Sequence, residues 1–358
     1  MKKIVICIPT LATAGAERFV VDLASNLDKS KYKVYVAITR VNVIGPFGEI
    51  LKKENVEIIN LVGKNFLDST KKQIAFFKRV KPDVVHANIG SLFHIMVATK
   101  ISKIRKRIYT IHNEAKLLYG ESKLKKICFR LAFSFFGFLP VAICDTVKKS
   151  MIKEFGTKYN NIPCINNGVD IVKYRPIYEK NENDTITIVN TGTMYWIKNQ
   201  KEIISAFANL YNKYKNIRLI ILGDGEKRQK LENLVNENEI SNVVSMPGIC
   251  SNVNEYLQSS DIYISASLTE GLPLSMLEAM ACGLPIITSA AGGSIDLVKT
   301  GVNGIVYEKN NQKELENAIE QLLLDSKLRR QYAKKSRSIA EEWSIENCAS
   351  GYEKLYME

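Results

Sequence analysis

Two carboxylates eight residues apart, Glu270 and Glu278, flank a Gly-Leu-Pro turn in the run SLTEGLPLSMLEAMACGLP, which spans residues 267 to 285. Pro273 is suited to open a helix at Leu274, because its missing N–H costs nothing in a first turn. Glu278 then lies about one turn into that helix, and Glu270 in the loop before it. The free N–H groups of a first helical turn can hold an anion. A carboxylate at the position of Glu278 can accept from two neighbouring hydroxyls of a ribose. Taken alone, the pair also fits an acidic loop residue followed by a helix-surface glutamate.

Further candidates follow the same layout of strand, small-residue turn and helix. Gly192-Thr193-Met194, with Lys198-Asn199 behind it, follows an apolar run and precedes a helical pattern. A Gly turn leaves room for a phosphate, and Lys198 is a compact charge for a diphosphate. Gly223-Asp224-Gly225 ends another strand and fits a tight turn. Thr13-Ala14-Gly15-Ala16-Glu17 follows the first strand, where small residues permit close approach of a ligand to the backbone. No G-x-G-x-x-G is present, so a dinucleotide fingerprint is excluded. His112 closes Tyr109-Thr110-Ile111-His112 at a strand's carboxyl end, where it faces a ligand crevice or simply satisfies a local hydrogen bond.

The elements that must position these residues alternate regularly. Strands are expected at 4–8, 34–38, 56–60, 84–86, 108–112 and 138–143, with helices at 16–27, 70–80, 92–102 and 124–136 between them. The second half repeats the plan, with strands at 185–191, 218–222, 243–246, 262–265 and 285–288. Its helices are expected at 200–214, 227–238, 274–281, 312–325 and 327–341. Continuous apolar strands alternating with helices predict α/β architecture: two doubly wound, Rossmann-like parallel sheets, with ligands beyond the carboxyl ends of the strands. Two such domains are expected to face a cleft. A seam at 161–184, with Pro163, Gly168, Pro176 and five Asn, reads as the linker.

The chain has 358 residues, 46% of them hydrophobic, and a net charge of +13. Residues 1–180 hold 32 Lys and Arg against 14 Asp and Glu, whereas the remainder hold 18 against 23. The basic balance therefore belongs to the first half. Aromatics do not interleave with the basic residues as in a nucleic-acid module, so no nucleic-acid partner is expected. Seven Cys without C-x-x-C spacing read as buried, reduced thiols of a cytosolic protein. Only three His are present, none paired at metal-ligand spacing, and no Asp-x-Asp site is convincing, so no metal is expected. MKKIVICIP reads as a first strand rather than a signal peptide. The apolar stretch 127–144 is broken by Arg130, Gly137 and Pro140 and reads as a helix followed by a buried strand, not a membrane span.

In this order the motifs resemble glycosyltransferase family four (group 1), with the GT-B fold, over nearly the whole chain. The specific part is the Glu-x7-Glu block with its EAMACGLP tail. Asn166-Asn167-Gly168-Val169-Asp170, Ala291-Gly292-Gly293, Gly301-x-Asn303-Gly304 and a closing helix after Trp343 support it. The resemblance implies a retaining hexosyltransferase using a nucleotide sugar, with a UDP-sugar favoured and no metal. Residues 1–165 become an acceptor-binding domain, 166–340 the nucleotide-sugar domain, and 341–358 a final helix crossing back to the first. Lys198 and Thr193 are implied at the donor diphosphate, and Glu278 at the ribose. Glu270 is implied at the donor sugar. The backbone of Gly271, Leu272, Pro273 and Leu274 is also implied at the donor, and Ile249 and Cys250 at the base. His112 and Gly15 are implied around the sugar and acceptor, with His112, Lys198 and Glu270 as the catalytic set.

Two positions depart from the family: Thr193 stands where an Arg is usual, and Ala14 where a Gly is usual. A neutral hydroxyl does not replace a guanidinium beside phosphate. A non-catalytic partner protein of the same fold, and a nucleotide-sugar epimerase or hydrolase, stay open as alternatives. The basic clusters 103–107, 123–126 and 71–81 suit an anionic surface. The second runs into Phe129, Phe133, Phe135 and Phe136, expected as an apolar helix face. Peripheral docking at the inner face of the cytoplasmic membrane, bringing a lipid-linked or saccharide acceptor of bacterial polysaccharide or glycolipid synthesis, is the expectation.

Overall fold

The computed structural model describes residues 1–12, 14–177 and 185–358. Thr13 of the N-terminal loop and 178–184 of the expected linker lie outside the described residues. The chain divides into two compact units, Met1–Gly168 with Ile345–Glu358, and Val169–Ser344.

The first unit is built on β1 (Lys2–Ile8), β2 (Tyr32–Ile38), β3 (Glu57–Asn60), β4 (Val84–Asn88), β5 (Lys106–Ile111) and β6 (Leu139–Ala142). They form one sheet in the order β3-β2-β1-β4-β5-β6, every pairing parallel. The second contains β7 (Ile186–Thr191), β8 (Ile217–Leu222), β9 (Val244–Gly248), β10 (Ile262–Ser265), β11 (Ile286–Ser289) and β12 (Gly304–Tyr307). Its order, β12-β11-β10-β7-β8-β9, is the same doubly wound plan, again parallel throughout. Buried runs such as Ile4–Ile8 and Ile262–Ile264 explain why these strands read as continuously apolar: helices cover both faces.

Several expectations need correction. The helix expected from residue 70 begins at Phe66, because Asn65 caps it through a 2.9 Å bond from the Asp68 N–H. Phe66 and Leu67 are exposed and so gave no periodic signal. Helices Phe47–Lys53 and Asp145–Phe155 were not expected, although Val147, Met151 and Phe155 of the latter bury one face at spacing four. Strand β12 was also missed. It is four residues long, and a Cβ on Gly304 would stand 2.1 Å from the Ile286 carbonyl oxygen, so glycine is what lets it pair with β11. The stretch 127–144 is the end of helix Lys123–Ser134 followed by β6, turning at Gly137 with φ +66°. Among the described residues no helix is long and apolar enough to cross a membrane.

The phenylalanine face is redistributed. Phe129 is buried and Phe133 half-buried, its ring 6.1 Å from Tyr109 and 6.0 Å from Phe155. The exposed apolar stripe of this segment is instead Leu124, Ile127, Leu131 and Phe135, spaced three, four and four apart along one side. Of the cysteines, all free thiols, Cys7, Cys144, Cys282 and Cys348 are buried, while Cys128, Cys164 and Cys250 are only half-buried.

The helix Ile345–Met357 is fastened into the first unit by buried polar contacts. His86 Nδ1 lies 2.7 Å from the Tyr356 hydroxyl and Nε2 lies 2.6 Å from Thr110 Oγ1. Thr110 Oγ1 also meets the Tyr352 hydroxyl at 2.7 Å, and the His86 ring stacks on Tyr352 at 5.0 Å. Burial lowers the His86 pKa to about 3 from its ordinary 6.5. Between those values the unfolded chain binds a proton that the folded chain does not, so this contribution is complete above pH 6.5 and declines as the pH falls towards 3. Denaturant unfolding at pH 7 and pH 4.5 should show the lower stability at pH 4.5. His86→Gln, which does not titrate, should be less stable at pH 7 and show a flatter pH dependence.

Candidate active site

In a doubly wound sheet the strand order reverses beside the first strand, and the loops leaving the two flanking strands open a crevice there. In the second unit those strands are β7 and β10. The loop after β7 begins at Gly192 and is braced from below by the turn after β8. Gly192 N–H donates to the Leu222 carbonyl at 3.0 Å, and Met194 N–H to the Asp224 carbonyl at 2.8 Å. The bracing is so close that a Cβ on Gly223 would lie 2.0 Å from the Gly192 oxygen, and one on Gly225 2.7 Å from the Met194 oxygen. Both glycines also have positive φ, +122° and +157°. Gly223-Asp224-Gly225, which by sequence reads as a tight turn, is thus the seat of the Gly192 loop.

That loop ends in a single 3-10 turn, Trp196–Lys198, closed by Asn199 in the left-handed region at φ +48°. Asn199 Nδ2 donates to Glu202 Oε2 at 2.6 Å, fixing the start of helix Gln200–Lys213. Leu268 N–H donates to the Ile197 carbonyl at 2.8 Å and ties the β7 loop to the β10 loop. The result is that Lys198 Nζ meets Glu270 Oε1 at 2.5 Å, and Ser267 Oγ donates to the same oxygen at 2.6 Å. The lysine and glutamate side chains are 22% and 12% exposed, a partly desolvated pair open on one side.

Helix Leu274–Ala281 starts directly after Pro273, burying Met276, Leu277, Ala279 and Met280. Its ladder begins with Met276 N–H to the Pro273 carbonyl at 3.1 Å, so the N–H groups of Leu274 and Ser275 precede it. Gly271, Leu272 and Pro273 are buried, and Glu278 is half-buried. Tyr263 of β10 stands beside this group, its hydroxyl donating to Ser275 Oγ at 3.0 Å. Burial, with Glu270 and Glu278 contributing, raises its pKa to about 12, so it stays a neutral donor. Ile249 and Cys250 follow β9. Gly223 N–H holds the Gly248 carbonyl at 2.8 Å, which places these two next to the bracing turn, and Ile249 is exposed. Thr193 is exposed at the loop's crest, its carbonyl accepting from Gln200 Nε2 at 3.2 Å.

The remaining candidates lie in the first unit. Gly15 opens helix Gly15–Asn26 after Ala14, and a Cβ there meets no atom within 4 Å. Among the described residues, packing does not demand glycine at this point. Glu17 in the first turn is buried, which raises its pKa. His112 lies one residue past β5 rather than inside it. Its Nε2 is 2.9 Å from Asn88 Oδ1, its ring stands edge-on to Phe19 at 5.0 Å, and burial lowers its pKa well below the ordinary value.

Sequence reasoning therefore named Lys198, Glu270, Glu278 and the 271–274 backbone, which one sheet edge gathers, and His112 with Gly15 at the other sheet. Asn88, Ser267 and Tyr263 escaped it. Asn88 ends β4 where an Asn reads as turn. Ser267 stands three residues before Glu270, a spacing that signalled nothing alone. The first unit's own switch point, between β1 and β4, contains Ile89 at φ +44°, which costs about 1–3 kcal/mol for a β-branched residue.

Residues 170–339 match the family described as glycosyl transferases group 1, and residues 13–173 match glycosyltransferase family 4. The chain belongs to the group 1, family 4 glycosyltransferases. An uncharacterized glycosyltransferase of Haemophilus influenzae is 29% identical over 358 residues, 97% of each chain. An N,N'-diacetylbacillosaminyl-diphospho-undecaprenol alpha-1,3-N-acetylgalactosaminyltransferase of Campylobacter jejuni is 27% identical over 247 residues, 66% of this chain and 63% of that one. A crystal structure of Anabaena HepE in complex with UDP and glucose matches with a TM-score of 0.87 over 100% of both chains at 19% identity, and its likeness fixes the GT-B fold. The protein is thus a glycosyltransferase with two Rossmann-like sheets.

The seat of the Gly192 loop gives a test of how this transferase is built. Gly223→Ala forces the Gly192 backbone to move and should lower unfolding free energy by about 1–3 kcal/mol, read by urea denaturation. Gly15→Ala, with open space at its Cβ, should unfold at the same denaturant concentration as the native protein.

Proposed function

We propose that this glycosyltransferase moves a hexose or N-acetylhexosamine, with retention, from a UDP-sugar to a saccharide or lipid-linked acceptor in bacterial surface polysaccharide or glycolipid synthesis. The observation that carries the reading is Lys198 Nζ held at 2.5 Å by Glu270 beside the switch point of the second sheet. Breaking a glycosyl–phosphate bond puts negative charge on the leaving diphosphate, and a cation fixed before the donor arrives stabilises it without reorganising. The ion pair keeps Lys198 pointed and partly desolvated; an arriving phosphate takes over its charge, and Glu270 turns to the sugar. The first-turn N–H groups at Leu274 and Ser275 add to the anion site. Glu278 grips the ribose, the Gly271–Leu274 backbone lines the donor, and Ile249 and Cys250 meet the base. Thr193 contributes no charge here, so Lys198 bears a larger share.

Retention proceeds by front-side attack. The bond from C1 to the phosphate oxygen breaks, the acceptor oxygen bonds C1 from the same face, and the leaving phosphate takes the acceptor's proton. His112 and the backbone at Gly15 belong to the sugar and acceptor. Lys198 supplies the countercharge in this scheme, so no divalent cation is required. The Campylobacter jejuni relative, named for a diphospho-undecaprenol substrate, and the HepE structure with UDP support the choice of acceptor and carrier.

The exposed stripe Leu124, Ile127, Leu131 and Phe135 runs beside exposed Lys123, Lys125 and Arg130. Lys126 is not part of this charge, being paired with Glu154 at 2.9 Å. Apolar residues beside basic ones suit the anionic inner face of the cytoplasmic membrane, each free cation adding roughly 1 kcal/mol. Docking there brings a lipid-linked acceptor to the first unit.

The following outcomes check the proposal. In a calorimetric screen, UDP should bind more tightly than GDP or ADP. Lys198→Ala and Glu270→Ala should each lower kcat with a competent UDP-sugar by about 100-fold or more, and EDTA should leave turnover unchanged. Wild-type turnover in Lys198→Ala removes the assignment. The protein should also co-sediment with vesicles containing anionic lipid, less so at high salt, and the double variant Leu124→Glu, Ile127→Glu should stay in the supernatant. Binding indifferent to lipid charge and salt overturns the docking surface.

A further inference from the structure

We propose that Asn88 is a positioning residue that fixes His112 as the Nε2–H tautomer, leaving Nδ1 as the ring's free acceptor for a sugar hydroxyl. The part played by the hydroxyl rests on the placement of His112 around the sugar and acceptor; the tautomer does not.

The inference follows from the buried amide. Asn88 is fully buried at the last position of β4, and its Nδ2 donates to the Cys7 carbonyl at 3.4 Å. A carbonyl can only accept, so that side of the amide is the nitrogen and the other side is the oxygen. The oxygen, Oδ1, lies 2.9 Å from His112 Nε2 and can only accept as well. Nε2 must then carry a hydrogen. Burial keeps the ring neutral near pH 7, and a neutral imidazole has one N–H, so Nδ1 is left with its lone pair. Among the described residues Nδ1 takes no hydrogen-bond partner.

The amide is held as firmly as it holds. Asn88 N–H donates to Ser91 Oγ at 2.9 Å, and Ser91 Oγ stands 2.7 Å from the Asn88 carbonyl and 3.1 Å from that of Cys7. Ile89, at φ +44°, reverses the chain in one residue so that helix Ser91–Ile101 can begin and this clamp can close. Phe19 presses edge-on against the ring, restricting its rotation. Packing alone is served by a side chain such as leucine at this fully buried position. An amide with both ends engaged is what a defined imidazole orientation needs. His86, the other titratable ring near His112, is also neutral and does not impose the tautomer by charge.

The test is the ring nitrogen chemical shifts of His112 in the full-length protein, observed by long-range proton–nitrogen NMR at pH 7.5. The expected spectrum has a protonated Nε2 and a bare Nδ1. An Nδ1–H tautomer or an imidazolium in the native protein overturns the proposal without any variant. In Asn88→Ala the ring should distribute over both tautomers, and kcat should fall about 10- to 100-fold while UDP affinity is unchanged. A native tautomer pattern in Asn88→Ala overturns it too. If Asn88→Ala does not fold, the native spectrum decides. Full activity in His112→Ala, with the expected tautomer in the native protein, removes the hydroxyl contact but leaves the positioning intact.

Discussion

Parallel pairing governs everything else in this protein. A parallel strand cannot be followed by a hairpin, so the chain leaves every strand at one edge of its sheet and returns by a crossover to the other. All carboxyl ends therefore collect along one edge, and the loops that follow them are forced into one neighbourhood. Lys198 and Glu270 are 72 residues apart in sequence. They touch because β7 and β10 are neighbours, and the loop each releases has nowhere else to go. The ion pair is thus a product of strand order before it is a product of either side chain.

The same edge sets where polarity is tolerated. Within the central strands β1 and β10 most side chains are apolar and buried, since helices cover both faces. Polar residues enter at the carboxyl ends, and each is met by another polar group. In β4, His86 and Asn88 lie two residues apart, so they project to the same face. One is satisfied by Tyr356 of the last helix and by Thr110, the other by His112. Phe19 touches both imidazoles, at 6.5 Å from His86 and 5.0 Å from His112. The last helix and the His112 imidazole thereby share one wall of packing.

Much of this was legible in the sequence because the fold depends on alternation, and alternation survives in composition. Most strands were expected within one or two residues of where they lie. The misses have local causes. Helix Asp145–Phe155 buries a narrow face between charged residues, and β12 is short and begins with a glycine. The phenylalanines of 129–136 were assigned to a surface by type, whereas the structure buries Phe129, leaves Phe133 and Phe136 half-buried, and exposes only Phe135 of them, together with two leucines and an isoleucine. In the candidate site, residue types and the family resemblance pointed to Lys198, Glu270 and Glu278. No sequence rule could say that the lysine rests on the glutamate, or that Gly223 seats the Gly192 loop, since those are contacts between loops of different strands.

The last helix has a consequence for how the chain is made. Tyr352 and Tyr356 complete the hydrogen bonds of Thr110 and His86, yet they leave the ribosome after every residue of the second unit. Until then the His86 imidazole and the Thr110 hydroxyl lack these partners. The second unit, continuous from Val169 to Ser344, has no such dependence. The unit begun before the other can therefore be completed only after it, because its last helix follows Ser344 in the chain.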